Sequence, residues 1–149
     1  MSTIREQLVV AAVLALNTST PGGVPAAERT RRAGMPEGAV EKYIGVGPSR
    51  DLPEEVGGGG GPLMRSSLTL AVEMWAPGSD ADRPDKVVDP LYEWVVKTLG
   101  GNALGGLALD IVEGESTFEY GGGEYPYVKL TTEMIVSYQH VVNDPTRRV

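Results

Sequence analysis

The chain has 149 residues, a hydrophobic fraction of 41% and a formal net charge of −7. This length is typical of one domain, and the composition is sufficient for a buried core. The negative charge gives no general attraction to nucleic acid or to an anionic membrane. Cysteine is absent, which excludes disulfides, thiolate catalysis and cysteine metal sites. No apolar run reaches roughly 18 residues, the length that a membrane-spanning helix needs.

The first predicted element is a helix over about residues 3–16. Its apolar residues recur at helical spacing, Ser2 or Thr3 can cap its start, and Glu6 stands three residues after Thr3. The segment LVVAAVLAL resembles the apolar part of a signal peptide, but Glu6 lies just before it and no small-residue cleavage site follows cleanly. We therefore expect a helix of the mature protein, made in the cytoplasm.

Two long loops are predicted around the first strand. Residues 17–38 are rich in Pro, Gly, Thr and Arg and show little periodicity, so we expect a long excursion. The segment AVEKYIGVG then alternates between apolar and polar residues, which predicts a strand. Residues 47–62 show no core-forming pattern and predict a second flexible loop. This loop contains five consecutive glycines: Gly57, Gly58, Gly59, Gly60 and Gly61.

The second half contains the clearest elements. MRSSLTLAVEMWA alternates strictly and predicts a strand. KVVDPLYEWVVKTLGG predicts a helix, and Pro90 leaves two starts open: Asp89 caps a helix that begins at Pro90, or one turn precedes it. GLALDIVEGE, STFEY and YVKLTTEMIVSYQHVV predict further strands, and residues 140–149 predict a loose tail.

This order of elements predicts a single α+β domain over residues 1–149. We expect an antiparallel β-sheet of about four to five strands, with two α-helices packed on one face and long loops. The predicted core consists of the apolar residues on the inward faces: Leu8, Val9, Leu16, Leu68, Leu70, Val72, Leu91, Trp94, Val95, Leu109 and Val136.

The glycine run does not have the sequence of a phosphate-binding loop. Such a loop continues with Lys-Ser or Lys-Thr and opens a helix, whereas Gly61 is followed by Pro62, Leu63 and a predicted strand. Five glycines carry a high ordering entropy, so we interpret the run as a loop that a partner could order.

No group of residues carries the pattern of a catalytic or metal site. His140 is the only histidine, so the chain has no second histidine for a catalytic triad or for a metal site. The acidic stretch SDADRPDKVVD lacks the glycine and glutamate of a calcium loop, and favours helix capping and solvated turns. We expect no enzyme activity and no catalytic, cofactor-binding or metal-binding residue.

A basic cluster stands out against the negative charge of the chain. Arg29, Arg31 and Arg32 lie within four residues of one another. They belong either to a solvated loop or to a local basic patch that meets DNA phosphates or an acidic neighbour. Both alternatives stay open.

The second half resembles the tail terminator and minor tail proteins of long-tailed bacteriophages. The resemblance is carried, over roughly residues 66–139, by SLTLAVEMWA, VVDPLYEWVVKTL, LGGLALDIVEG and STFEYGGGEYPYVKLTTEMIVSYQ. It implies an α+β subunit of the virion, made in the host cytoplasm, that assembles into a ring of typically six copies. Such a ring caps the tail tube, ends its growth and presents a surface to the neck, while genomic DNA passes through the lumen without sequence-specific binding.

The long excursion and the glycine run are individual embellishments outside the resemblance, and we assign them roles from their own features. We expect Arg29, Arg31 and Arg32 to line the lumen or a subunit contact, and Gly57 to Gly61 to form an assembly loop that contacts a neighbouring subunit or the tube. The implied partners are further copies of the chain, the tail tube protein and a neck protein. A head-completion or stopper protein, and a small host-type binding module, are the alternatives.

Overall fold

The computed structural model describes residues 2–30, 41–55, 63–79, 81–122 and 126–148. Within these residues the chain forms two α-helices and five strands. The helices are α1 (Ile4–Leu16) and α2 (Pro84–Leu99), and a short 3₁₀ helix spans Leu104–Gly106. The strands are β1 (Ala27–Arg29), β2 (Tyr43–Glu55), β3 (Leu63–Pro77), β4 (Asp110–Gly121) and β5 (Tyr127–Val141).

The strands form one sheet in the order β1-β2-β3-β5-β4. The pairs β2–β3, β3–β5 and β4–β5 are antiparallel, while β1 runs parallel to β2. The predicted α+β class is therefore confirmed, with one difference: the sheet is mixed, because the chain crosses from β1 to β2 through a long connection rather than a hairpin.

The core lies between the two helices and one face of the sheet. Alternation along β3 places its apolar residues on this face, and β5 does the same opposite them. Helix α1 packs over β1 and β2, and α2 packs over β3 and β5. The largest fully buried side chains are Ile4, Leu8, Leu16, Ile44, Leu68, Leu70, Met74, Leu91, Leu99, Ile111, Leu130 and Met134.

Local signals explain where the helices begin and end. The hydroxyl of Thr3 accepts a hydrogen bond of 3.1 Å from the backbone N–H of Glu6, which caps α1. Helix α2 begins at Pro84, so of the two predicted starts the one with helix before Pro90 is observed. Gly101 follows the helix with a φ of +70°, a conformation that glycine adopts readily, and its N–H donates to the carbonyl of Ile111.

The predicted loop at residues 47–62 is wrong over its first half, because β2 continues to Glu55. The alternation is hidden by a bulge between Pro48 and Arg50 and by a second proline, Pro53. Among the described strands, β1 pairs with β2 only at residues 44–46, so the rest of β2 is an edge where prolines are tolerated. The glycines themselves lie outside the described residues.

Two other expectations need correction. Leu109 is 53% exposed, because it lies in the turn before β4 and not on the inward face of a strand, and Trp94 is only partly buried. Residues 140–148 are not a loose tail. The carbonyl of Pro145 accepts a hydrogen bond from the N–H of Ile4, and Arg148 donates to the carbonyl of Gly106.

Leu70→Ala should lower the free energy of unfolding by about 2–5 kcal/mol, because Leu70 is fully buried on the central strand and its truncation leaves a cavity. Chemical denaturation measures this loss. Leu52→Ala, on the exposed edge of the same sheet, is the control and should change stability by less than about 0.5 kcal/mol. An unchanged midpoint for Leu70→Ala would contradict the assigned faces of β3.

Candidate assembly surfaces

Of the residues predicted to form assembly contacts, the structure describes only Arg29. It lies at the end of β1, half exposed, and its guanidinium forms a 2.5 Å ion pair with Glu6 on α1. The remaining predicted residues, Arg31, Arg32, Gly57, Gly58, Gly59, Gly60 and Gly61, lie outside the described residues. Arg29 is therefore an intramolecular ion-pair partner, and the hypothesis of a basic cluster stays a prediction.

Exposed apolar side chains mark three separate regions of the described surface. Val10 and Leu14 lie one turn apart on the outer side of α1, and Leu52 lies near the end of β2. The third region is formed by Phe118 and Tyr120 on the helix-facing side of β4, at the opposite edge of the sheet, and both are about half exposed or more. Leu109, before the strand, and Val112, on its other face, are exposed separately. Apolar surface of this kind is typical of protein contact sites when it is contiguous.

The third region borders a groove between α2 and β4, which we call the α2–β4 groove. Its volume is about 410 Å³. The lining residues come from both elements and from β5: Asp85, Val88, Asp89, Tyr92, Ser116, Phe118, Tyr120 and Leu130. The groove exists because α2 packs over β3 and β5 and leaves the helix-facing side of the outermost strand uncovered.

Acidic groups border this groove. The hydroxyl of Tyr92 donates a hydrogen bond to the carboxylate of Glu113, and this bond raises the pKa of Tyr92. Oδ1 of Asp85 is buried and has no hydrogen-bond partner among the described residues; the nearest cation, Nε of Arg83, is 3.8 Å away. Asp89 is exposed one turn further along α2. The groove therefore offers carboxylate acceptors beside aromatic rings.

A second polar site lies under the start of α1. Oδ2 of Asp51 accepts hydrogen bonds from Nε of Arg5 at 2.9 Å and from the hydroxyl of Tyr138 at 2.5 Å. Burial, followed by the hydrogen bond to Asp51, raises the pKa of Tyr138 to about 12. His140 lines the same cavity. These groups tie α1, β2 and β5 together.

The other face of the sheet is not covered by any described helix. Ion pairs cross its strands: Lys129 lies 3.5 Å from Glu73 and 3.7 Å from Glu119, and Arg50 lies 3.7 Å from Glu133. The same face also carries the stacked rings of Trp75 and Tyr127.

Sequence reasoning missed the α2–β4 groove. It assigned the aspartates to capping and turns, and it did not connect them with Phe118 and Tyr120, which lie more than two dozen residues further along the chain. The sequence signal for an exposed aromatic surface was the stretch STFEYG, in which two aromatic residues alternate with polar ones on a strand before a turn. Only the strand order shows that this strand is an edge.

Comparisons add no family to this picture. No protein-family model matches the chain, and no curated protein has a detectably similar sequence. Across the described residues, none of the helices has the length and apolar character to cross a membrane. In the same part of the chain, no three His, Asp or Glu side chains come together as metal ligands would.

Tyr138→Phe should destabilise the protein at neutral pH, because it removes a buried hydrogen bond to Asp51. The difference from wild type should shrink as the pH rises from about 10 to about 12. In that window the unfolded tyrosine ionises before the folded one, so the wild type loses stability that the phenylalanine variant never had. Urea denaturation at several pH values measures this.

The matched control for that experiment is Tyr120→Phe, which removes the hydroxyl of an exposed tyrosine. It separates the contribution of the Asp51–Tyr138 pair from the loss of one titrating group. A difference between wild type and Tyr138→Phe that stays constant up to pH 12 would contradict the role assigned to this hydrogen bond.

Proposed function

We propose that the protein is a structural virion protein of a long-tailed bacteriophage that caps the tail tube as a ring. The family resemblance implies six copies in this ring. The ring ends tail elongation and forms the surface that joins tail to head. The protein acts by assembly and carries out no chemical reaction.

The observation that carries this proposal is the separation of the exposed apolar regions. Val10 and Leu14 lie on the helix above β1 and β2, whereas Phe118 and Tyr120 lie at the opposite end of the strand order. A closed ring needs two different surfaces on each subunit, and a ring between a tube and a neck needs further contacts above and below. Several distinct apolar regions on one small domain support such multiple contacts.

The uncovered face of the sheet is compatible with a lumen that DNA crosses. Lys129 and Arg50 are paired with glutamates on this face, and among the described strands Arg65 is the one exposed cation there without an ion pair, so no array of unpaired cations is present. Tight phosphate binding depends on such cations. A charge-balanced wall would let DNA pass without holding it.

A head-completion or stopper protein of the same neck is the second candidate. The same distribution of apolar regions supports it, because a stopper also contacts neighbouring copies and proteins on both sides. A small host-type binding module would need only one of these regions. The three functions predict different particles when the gene is disrupted.

Electron microscopy of particles from a virus with the gene disrupted tests the proposal. Loss of a tail terminator should leave overlong tails without heads, and complementation should restore a ring at the head-proximal end. Loss of a stopper should leave tails of normal length and heads that lose their DNA. Normal particles would contradict both proposals and favour the binding module.

Val10→Ser with Leu14→Ser should leave the fold intact and prevent joining of tails to heads or ring formation. Both side chains are more than half exposed, so the stability change should stay within about 0.5 kcal/mol per site. Thermal unfolding measures stability, and complementation titre measures assembly. Lys97→Ser, on the exposed side of α2, is the control, and an equal loss of titre with it would contradict a specific contact on α1.

A further inference from the structure

We propose that the α2–β4 groove binds an extended segment of a partner protein in which arginine alternates with apolar residues. This inference concerns the chemistry of one groove and stands independently of the tail-ring proposal. It rests on three features of the described residues: a free strand edge, two exposed aromatic rings, and two carboxylates that line the groove beside them.

The strand edge gives the segment its backbone partner. Among the described strands, β4 pairs only with β5, and the bulge between Glu113 and Ser116 leaves residues 116–121 as a regular stretch. An extended segment can pair with such an edge and lengthen the sheet by one strand. Every second side chain of that strand would then lie on the helix-facing side, beside Phe118 and Tyr120.

The aromatic rings favour a planar cation at these positions. Phe118 and Tyr120 are 49% and 63% exposed, and their ring centroids lie 6.3 Å apart with an interplanar angle of 11°. A guanidinium group stacks on aromatic faces and keeps its N–H donors directed outward in the ring plane. The rings therefore fit arginine better than lysine.

The carboxylates give the cation its partner. Asp85 and Asp89 both line the groove, and the side chain of Asp85 is 43% exposed. Arg83, whose Nε lies 3.8 Å from Oδ1 of Asp85, is itself 90% exposed, so this ion pair is weak. A guanidinium in the groove would form charge-assisted hydrogen bonds with the exposed part of the Asp85 carboxylate and be attracted to Asp89.

Charge also decides against a second copy of β4 as the occupant. Glu113, Glu115 and Glu119 lie along this strand, and pairing it with its own copy would bring acidic side chains together. The chain as a whole carries a net charge of −7, which further disfavours self-association at an acidic edge. A basic strand from a different protein has the complementary charge.

A fluorescein-labelled peptide in which arginine and valine alternate over about eight residues is the probe. Fluorescence anisotropy at moderate salt should show saturable binding to the full chain. A peptide with lysine at the arginine positions should bind about threefold or more weakly, since it lacks the stacking plane. A peptide with glutamate at these positions should not bind.

Asp85→Asn with Asp89→Asn should weaken binding of the arginine peptide about tenfold or more. The control is Asp82→Asn with Glu93→Gln, which changes the net charge equally, from −7 to −5, outside the groove. It should weaken binding by less than about twofold. Phe118→Leu with Tyr120→Leu, which keeps apolar surface but removes the rings, should weaken the arginine peptide and abolish its advantage over lysine.

Several results would overturn the inference. Equal weakening of peptide binding by the Asp85/Asp89 double variant and by the Asp82/Glu93 control would show a general charge effect. Equal affinity for the arginine and lysine peptides would exclude the stacking role. If sedimentation shows that the chain alone forms dimers, and the Asp85/Asp89 double variant does not, the groove is occupied by a second copy. If a variant does not fold, NMR of the wild type decides: the peptide must shift the ring resonances of Phe118 and Tyr120, and unshifted rings reject the site.

Discussion

The register between β3 and β5 is the constraint on which the rest of the structure depends. The two strands pair without interruption from Leu63 opposite Val141 to Pro77 opposite Tyr127. Because side chains alternate between faces, a slip of one residue would place the apolar set of one strand on the opposite side of the sheet from that of the other. The register thus determines which face receives the helices. It also leaves the ion-paired side chains, together with the stacked Trp75 and Tyr127, on the uncovered face.

The same alternation explains how much of the fold was predictable. Strand β3 is central and has one face against the helices, so its apolar residues recur with a strict period of two. The apolar residues of the two helices recur at helical spacing, which made the helices equally predictable. Strand β1 has only three residues, too few for a period. The far part of β2 contains Pro48 and Pro53, which argue against a strand unless the edge position is known. The anchoring of the last residues through Pro145 is a backbone contact that no side-chain pattern encodes.

The candidate surfaces were less predictable than the fold, because they depend on which elements meet. Arg29 belongs to a basic cluster in sequence, yet its charge is paired with Glu6, a residue that only the packing of α1 against β1 brings near. Asp85 and Phe118 line the same groove, although no local sequence pattern around either residue indicates that the other is near. Their proximity follows from α2 lying over β3 and β5 with β4 outside them.

The exposed edges of β2 and β4 both carry features that oppose pairing with strands of other molecules. Prolines and a bulge interrupt β2, while β4 has its own bulge and a row of glutamates. Natural sheets use such features to avoid edge-to-edge aggregation. They do not block every partner, because acidic side chains that repel a second acidic strand attract a basic one. Charge complementarity, rather than the free backbone edge alone, would then select which strand can pair with β4.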